Sequence, residues 1–255
     1  PQQTVYAADG IRFCQKVTKA MKWESTKALV EHFGQRYPEI LAINLSEGRD
    51  DEIFKWFLAS ILFGAPITET SVIKTYKCFR KYNVLTPKRI LATGWDGLVK
   101  ILDEGSYTRY DFKTADKFLE VMRSLMQKYA GSLNLLHEKA SDAHDLERRL
   151  KDLGKGTGDV TVSIFLRELR NTWEKANPKP TSLVILAAKN LGIVRKEAAE
   201  DTLTQLKDFW SRNKVAEKSF TNFETALLRL GKDFCRKGKC VVCQARNECL
   251  SCRVP

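Results

Sequence analysis

Five of the chain's seven cysteines fall within eighteen residues, as Cys235, Cys240, Cys243, Cys249 and Cys252. No other feature constrains the fold as strongly. Thiols this close in sequence reach a common point at little entropic cost, so they are there to be used together. Disulfide pairing is one use. The odd total, the two remote cysteines Cys14 and Cys78, and a start without a secretory pattern fit a reducing compartment better. Metal binding is the other use. Two Cys-x-x-Cys knuckles, Cys240/Cys243 and Cys249/Cys252, would suit one tetrahedral zinc at a cramped separation. The set Cys235, Cys240, Cys243 and Cys249, with gaps of four, two and five residues, looks like a cubane iron–sulfur loop. The tail alone leaves both sets open.

A chain of 255 residues has material for one large domain or two lobes. It contains no run of eighteen apolar residues, so no membrane span is expected. The net charge of +12 implies a polyanionic partner, nucleic acid first among them. The tail itself sets Arg236, Lys237, Lys239, Arg246 and Arg253 against Glu248, so a metal loop here would be able to lie against phosphates.

Helical periodicity runs almost throughout. It predicts helices over 25–33, 50–63, 68–82, 87–93, 95–104, 112–129, 142–153, 157–177, 182–191, 198–213 and 222–230. Phe118, Val121, Met122 and Leu125 form one inner stripe, and 182–191, apolar nearly all round, is expected to be deeply buried. Trp56, Trp95, Trp173 and Trp210 fall in helical patterns and read as core. His32, His137 and His144 are scattered and receive no ligand or base role. With no alternating run long enough for a sheet, the fold class is all-α.

Between two of these helices lies KDLGKGTGDV (151–160). Glycines let the backbone turn tightly and let another chain come close. The next helix then offers its first free N–H groups at the turn, which makes a site for one phosphate. A helix–hairpin–helix grips a DNA backbone in this way without reading bases. The candidate DNA-binding residues are Lys151, Leu153, Gly154, Lys155, Gly156, Thr157 and Gly158, joined by Arg236, Lys237 and Lys239 of the tail.

With these pieces the chain resembles the helix–hairpin–helix DNA glycosylases, the endonuclease III superfamily with an iron–sulfur loop. ILFGAPITETSV (61–72) resembles the family's early helix–turn–helix, and the hairpin follows its Leu-Pro-Gly-Val-Gly pattern loosely. Residues 183–192 resemble its buried helix after the catalytic loop, and LLRLGKDFC (227–235) leads into the cysteines as the family's helix does. The resemblance implies a 4Fe-4S cluster on Cys235, Cys240, Cys243 and Cys249, with Cys252 spare and a first gap of four residues rather than six. It implies two lobes, with double-stranded DNA across the cleft: 1–49 packs on the carboxy-terminal lobe, 50–165 forms the lobe ending in the hairpin, and 166–255 carries the loop at 235–252.

The catalytic pattern departs from the family. Where bifunctional members carry a Schiff-base lysine the chain has Gly156, with Lys155 beside it as a phosphate contact, and the family's aspartate falls at Ser182. Pro66 stands where endonuclease III carries a DNA-filling glutamine. A lyase of the family type is therefore not expected. A monofunctional glycosylase would need another carboxylate, and YTRYD (107–111) is the best stretch for one. Tyr107 or Tyr110 would stack on an extruded base, Arg109 would hydrogen-bond it, and Asp111 would be the acid unless it simply caps the next helix. Asp159 and Glu69 are further acids toward the cleft. The expectation is an intracellular, cytoplasmic or nucleoid monomer that excises a damaged or mismatched base. The alternative is a catalytically inactive binder of distorted DNA, and a zinc-knuckle or RNA-binding module stands behind both.

Overall fold

The computed structural model describes residues 23–194 and 201–252. All its regular elements are helical: α1 (Trp23–Phe33), α2 (Tyr37–Ile40), α3 (Asp50–Phe63), α4 (Glu69–Lys81), α5 (Pro87–Glu104), α6 (Asp111–Tyr129), α7 (Leu133–Lys139), α8 (Ala143–Lys151), α9 (Asp159–Glu168), α10 (Ser182–Asn190), α11 (Thr202–Arg212), α12 (Phe220–Asp233) and two 3₁₀ turns, Cys235–Lys237 and Arg246–Glu248. The chain is all-α. Among the described residues no helix is long and apolar enough to cross a membrane. Cys14, Arg253 and the start of the helix expected from 198 lie outside the described residues.

Two apolar cores organise these helices. The larger is built round α3, which begins with Asp50, Asp51 and Glu52 at the positive end of its dipole and buries Ile53, Phe54, Trp56, Phe57, Leu58 and Leu62. Trp56 seats its indole by donating Nε1–H to the Phe165 carbonyl of α9 at 3.1 Å. The stripe Phe118, Val121, Met122 and Leu125 of α6 faces the same core. The smaller core joins Leu29 and Val30 of α1 to α10, α11, α12 and Cys243. The expected lobe boundaries shift accordingly. Tyr37, Leu41, Ile43 and Leu45 belong to the larger core, as do Leu169, Trp173 and Ala176, so that core gathers residues from 37 to 176. Of the amino-terminal stretch, Leu29 and Val30 of α1 belong to the smaller core.

Three expectations are corrected. The helix expected over 157–177 stops at Glu168, because the chain then turns to bury Trp173, whose Nε1–H reaches Asn134 Oδ1 at 2.9 Å. The helix 182–191 buries Val184, Ala187 and Ala188 but leaves Leu183, Ile185 and Leu186 half-buried. Trp95 is not core. Gly94, at φ 67°, breaks α5 and turns Trp95 outward, 37% exposed, against Phe112 at 5.2 Å.

A polar seam closes the two lobes on each other. Glu168 takes Arg36 Nε at 2.8 Å and Arg167 at 2.9 Å, while Glu224 of α12 holds Arg170 at 2.9 Å and 3.1 Å. At the other end Glu69 accepts from Lys232 at 2.8 Å and from the Tyr37 hydroxyl at 3.1 Å. Glu69 is therefore engaged in joining the lobes.

Candidate nucleic-acid face and cysteine centre

The hairpin between α8 and α9 is pressed against α6. Gly154 has φ +152°, a conformation strained for an L side chain, and a Cβ there would meet Glu120 at 3.0 Å. A Cβ on Gly156 would lie 3.1 Å from Lys117 Cβ. Thr157 is buried and its hydroxyl donates to the Gly154 carbonyl at 2.8 Å. Leu153, Gly156 and Thr157, expected as DNA contacts, are thus buried groups that fix the hairpin's shape. What faces outward is Lys155, Gly158 and the start of α9, where Gly158 offers no side-chain cap and Val160 is 62% exposed. Lys151 is spent on Asp159 at 2.5 Å, so the acid cancels one of the expected cations.

The 105–110 loop changes the catalytic expectation. Tyr107 is fully buried, and its hydroxyl donates to the Leu62 carbonyl at 2.7 Å, with burial pushing the phenol's pKa up. It pins the loop to the end of α3 and is not placed to stack on a base. Tyr110 remains half-buried with the Arg109 guanidinium 5.4 Å from its ring centroid, and Arg109 is exposed. Asp111 is the first residue of α6, where its charge suits the positive end of the dipole, and it accepts the Phe112 N–H at 2.7 Å; it is not the cap, which is Tyr110. Asp159 likewise opens α9, and its side chain is largely in solvent.

These segments meet at one end of the larger lobe. Tyr107 ties the 105–110 loop to α3, and Gly64 packs so tightly on Thr161 of α9 that a Cβ would lie 2.2 Å from Oγ1. The cysteine loop hangs from the same end through α12. Lys232, which grips Glu69 at the start of α4, stands three residues before Cys235, with the end of α12 at Asp233 between them.

Cys235, Cys240, Cys243, Cys249 and Cys252 all line one cavity of about 230 Å³, closed by Leu191, Leu230 and Phe234. All are free thiols. Asn190, the last residue of α10, holds both ends of the loop. Its side chain hydrogen-bonds Cys235, its carbonyl takes Leu250 N–H at 2.7 Å, and its Oδ1 takes the Ser251 hydroxyl at 2.9 Å. From α1, Ser25 donates to Glu248 at 2.9 Å. Burial raises the pKa of Cys235, Cys243 and Cys252, so these thiols stay protonated until a cation ionises them. Among the described residues no group of three or more Cys, His, Asp or Glu donors is arranged to hold a metal ion. The donor chemistry nonetheless fits a thiolate-held group: five sulfurs without disulfides open into one apolar-walled space. Arg236, Lys237 and Lys239 are exposed on this loop, and Val241 and Val242 form its tip at 79% and 67% exposure.

A larger cavity, of about 740 Å³, lies elsewhere on the lobe junction, and two of its cations are engaged, Arg170 with Glu224 and Lys207 with Asn177. Comparison of the chain with protein-family models and with curated proteins finds no match. Two features escaped the sequence reading. Asn190 gives no signal beyond an amide near a helix end, and the Trp95–Phe112 pair depends on the break at Gly94.

Proposed function

We propose that the protein binds double-stranded DNA across the hairpin and the basic cysteine loop, with a 4Fe-4S cluster held by Cys235, Cys240, Cys243 and Cys249. The observation that carries this reading is that an uncapped helix start with Lys155 and a cation-studded thiol loop are both tied to the α3–α4 turn, the first through Thr161 on Gly64 and the second through Lys232 on Glu69. The α9 amides and Lys155 bind phosphate, while Arg236, Lys237 and Lys239 add charge and Val160, Val241 and Val242 add apolar contact at the tips. The cluster fixes the loop's shape. Binding of distorted DNA comes before excision in this reading, because Tyr107 is buried and Asp111 and Asp159 are satisfied at helix starts. A glycosylase is the second reading, carried by Arg109, Tyr110 and Asp111 at an accessible edge.

Purified protein should be brown, with iron and sulfide in equal amounts, and its affinity for duplex DNA should fall steeply with salt. Lys155→Ala should weaken binding uniformly across sequences and lower the salt slope by about one. Asp159→Asn should tighten binding, since it removes an acid from the phosphate site and releases Lys151. Anisotropy titrations at several salt concentrations read both, and salt-independent binding would remove the DNA reading. Duplexes carrying uracil, oxidised or alkylated bases and mismatches separate the two accounts. An abasic product that disappears in Asp111→Asn establishes excision; tight binding of bent DNA with no abasic product establishes the binder.

A further inference from the structure

A cubane has four corners, and the cavity holds five thiols. Cys252 is half-buried there and lines the same cavity as Cys240 and Cys249. Cys249 and Cys252 also hang from one fixed segment. The two residues between them are pinned to α10, Leu250 by its N–H and Ser251 by its hydroxyl, both on Asn190. Both sulfurs therefore enter the cavity from one anchored turn. Cys240 is held differently, in a turn closed by the Cys243 N–H on its carbonyl at 3.2 Å.

We infer that Cys252 is a reserve ligand of the iron–sulfur centre, taking over the iron position of Cys249 when that sulfur is lost. The inference rests on the cofactor assignment proposed above. The exchange would move no electrons: the Cys252 thiol would give its proton to water on becoming a ligand, and the Cys249 thiolate it replaced would take one up.

The test compares the full-length wild type with Cys252→Ala, Cys249→Ala, the double variant and Cys243→Ala. Iron and acid-labile sulfide per chain, visible absorption and low-temperature electron paramagnetic resonance are measured, with far-ultraviolet circular dichroism to follow helix content. Alanine offers no donor, so any cluster in Cys249→Ala needs another ligand. Cys252→Ala and Cys249→Ala should both hold a full cluster, the latter with an altered resonance spectrum. The double variant and Cys243→Ala should lose nearly all their iron. Should Cys249→Ala not fold, the pair Cys249→Ser and Cys249→Ser with Cys252→Ala carries the same comparison. An empty but helical Cys249→Ala beside a loaded wild type overturns the inference alone. So does a loaded double variant, or loss of the cluster in Cys252→Ala. A wild type without iron and sulfide overturns the cofactor assignment itself.

Discussion

Glu168→Ala is expected to lower the stability of the chain by about 3–5 kcal/mol, a large fraction of what holds a domain folded. The Glu168 side chain is wholly buried and faces two guanidinium groups, Arg36 at 2.8 Å and Arg167 at 2.9 Å. Arg167 is itself buried. Burial opposes its charge, and Glu168 and Glu224 more than offset that, holding its pKa above the ordinary value. An arginine cannot shed its proton to escape. Removing the carboxylate therefore strands a charge at the lobe seam, beside Tyr37, whose ring centroid lies 5.8 Å away. Glu168→Gln, which keeps the shape and one acceptor, should cost less than alanine. Urea denaturation measures this: the midpoint should fall with an unchanged slope, and an alanine variant as stable as the parent would show that the seam contributes nothing.

The seam also shows what periodicity can and cannot carry. The stripe Phe118, Val121, Met122 and Leu125 was legible because a long amphipathic helix needs only its own 3.6-residue repeat to declare its face. The break at Gly94 was legible too, since two helical patterns abut there. The end of α9 was not. Leu166, Leu169, Trp173 and Ala176 continue at helical spacing, so the pattern runs past the point where tertiary contacts redirect the chain. The short α2 and α7 left no pattern of their own, and at four and seven residues they depend on the core around them.

The same division holds at the candidate site. Cysteine spacing showed that these thiols lie close enough to be used together, because loop closure over a few residues is a local property; that Cys252 shares their cavity came from the fold. The hairpin's glycines announced a tight turn for the same reason. Tyr107 misled, since a tyrosine in a charged loop reads as exposed until a carbonyl 45 residues away claims its hydroxyl. Asn190 was invisible on the same grounds: its partners stand at 235, 250 and 251, and only the folded chain brings them to it.

Gly231→Ala should destabilise the smaller lobe by about 3 kcal/mol, the upper end for overpacking, and loosen the cysteine cavity with it. The glycine sits where α12 crosses α10, and a Cβ there would lie 2.1 Å from the Leu183 carbonyl oxygen and 2.8 Å from its carbon. Both are backbone atoms, so no side chain can rotate away and the helices themselves must part. Leu230, the next residue back, and Leu191 wall the cavity that the cysteines line, and Cys235 follows four residues on. Parting the helices therefore also strains the hold of Asn190 on Cys235. The melting temperature should fall, and the thiols should react with a maleimide faster than in the parent. The contrast with Lys155→Ala is diagnostic. That exposed change should weaken DNA binding with unaltered melting, whereas Gly231→Ala should lower melting first. A Gly231→Ala protein with parental melting and parental thiol protection would mean that α10 and α12 do not clasp the loop as described.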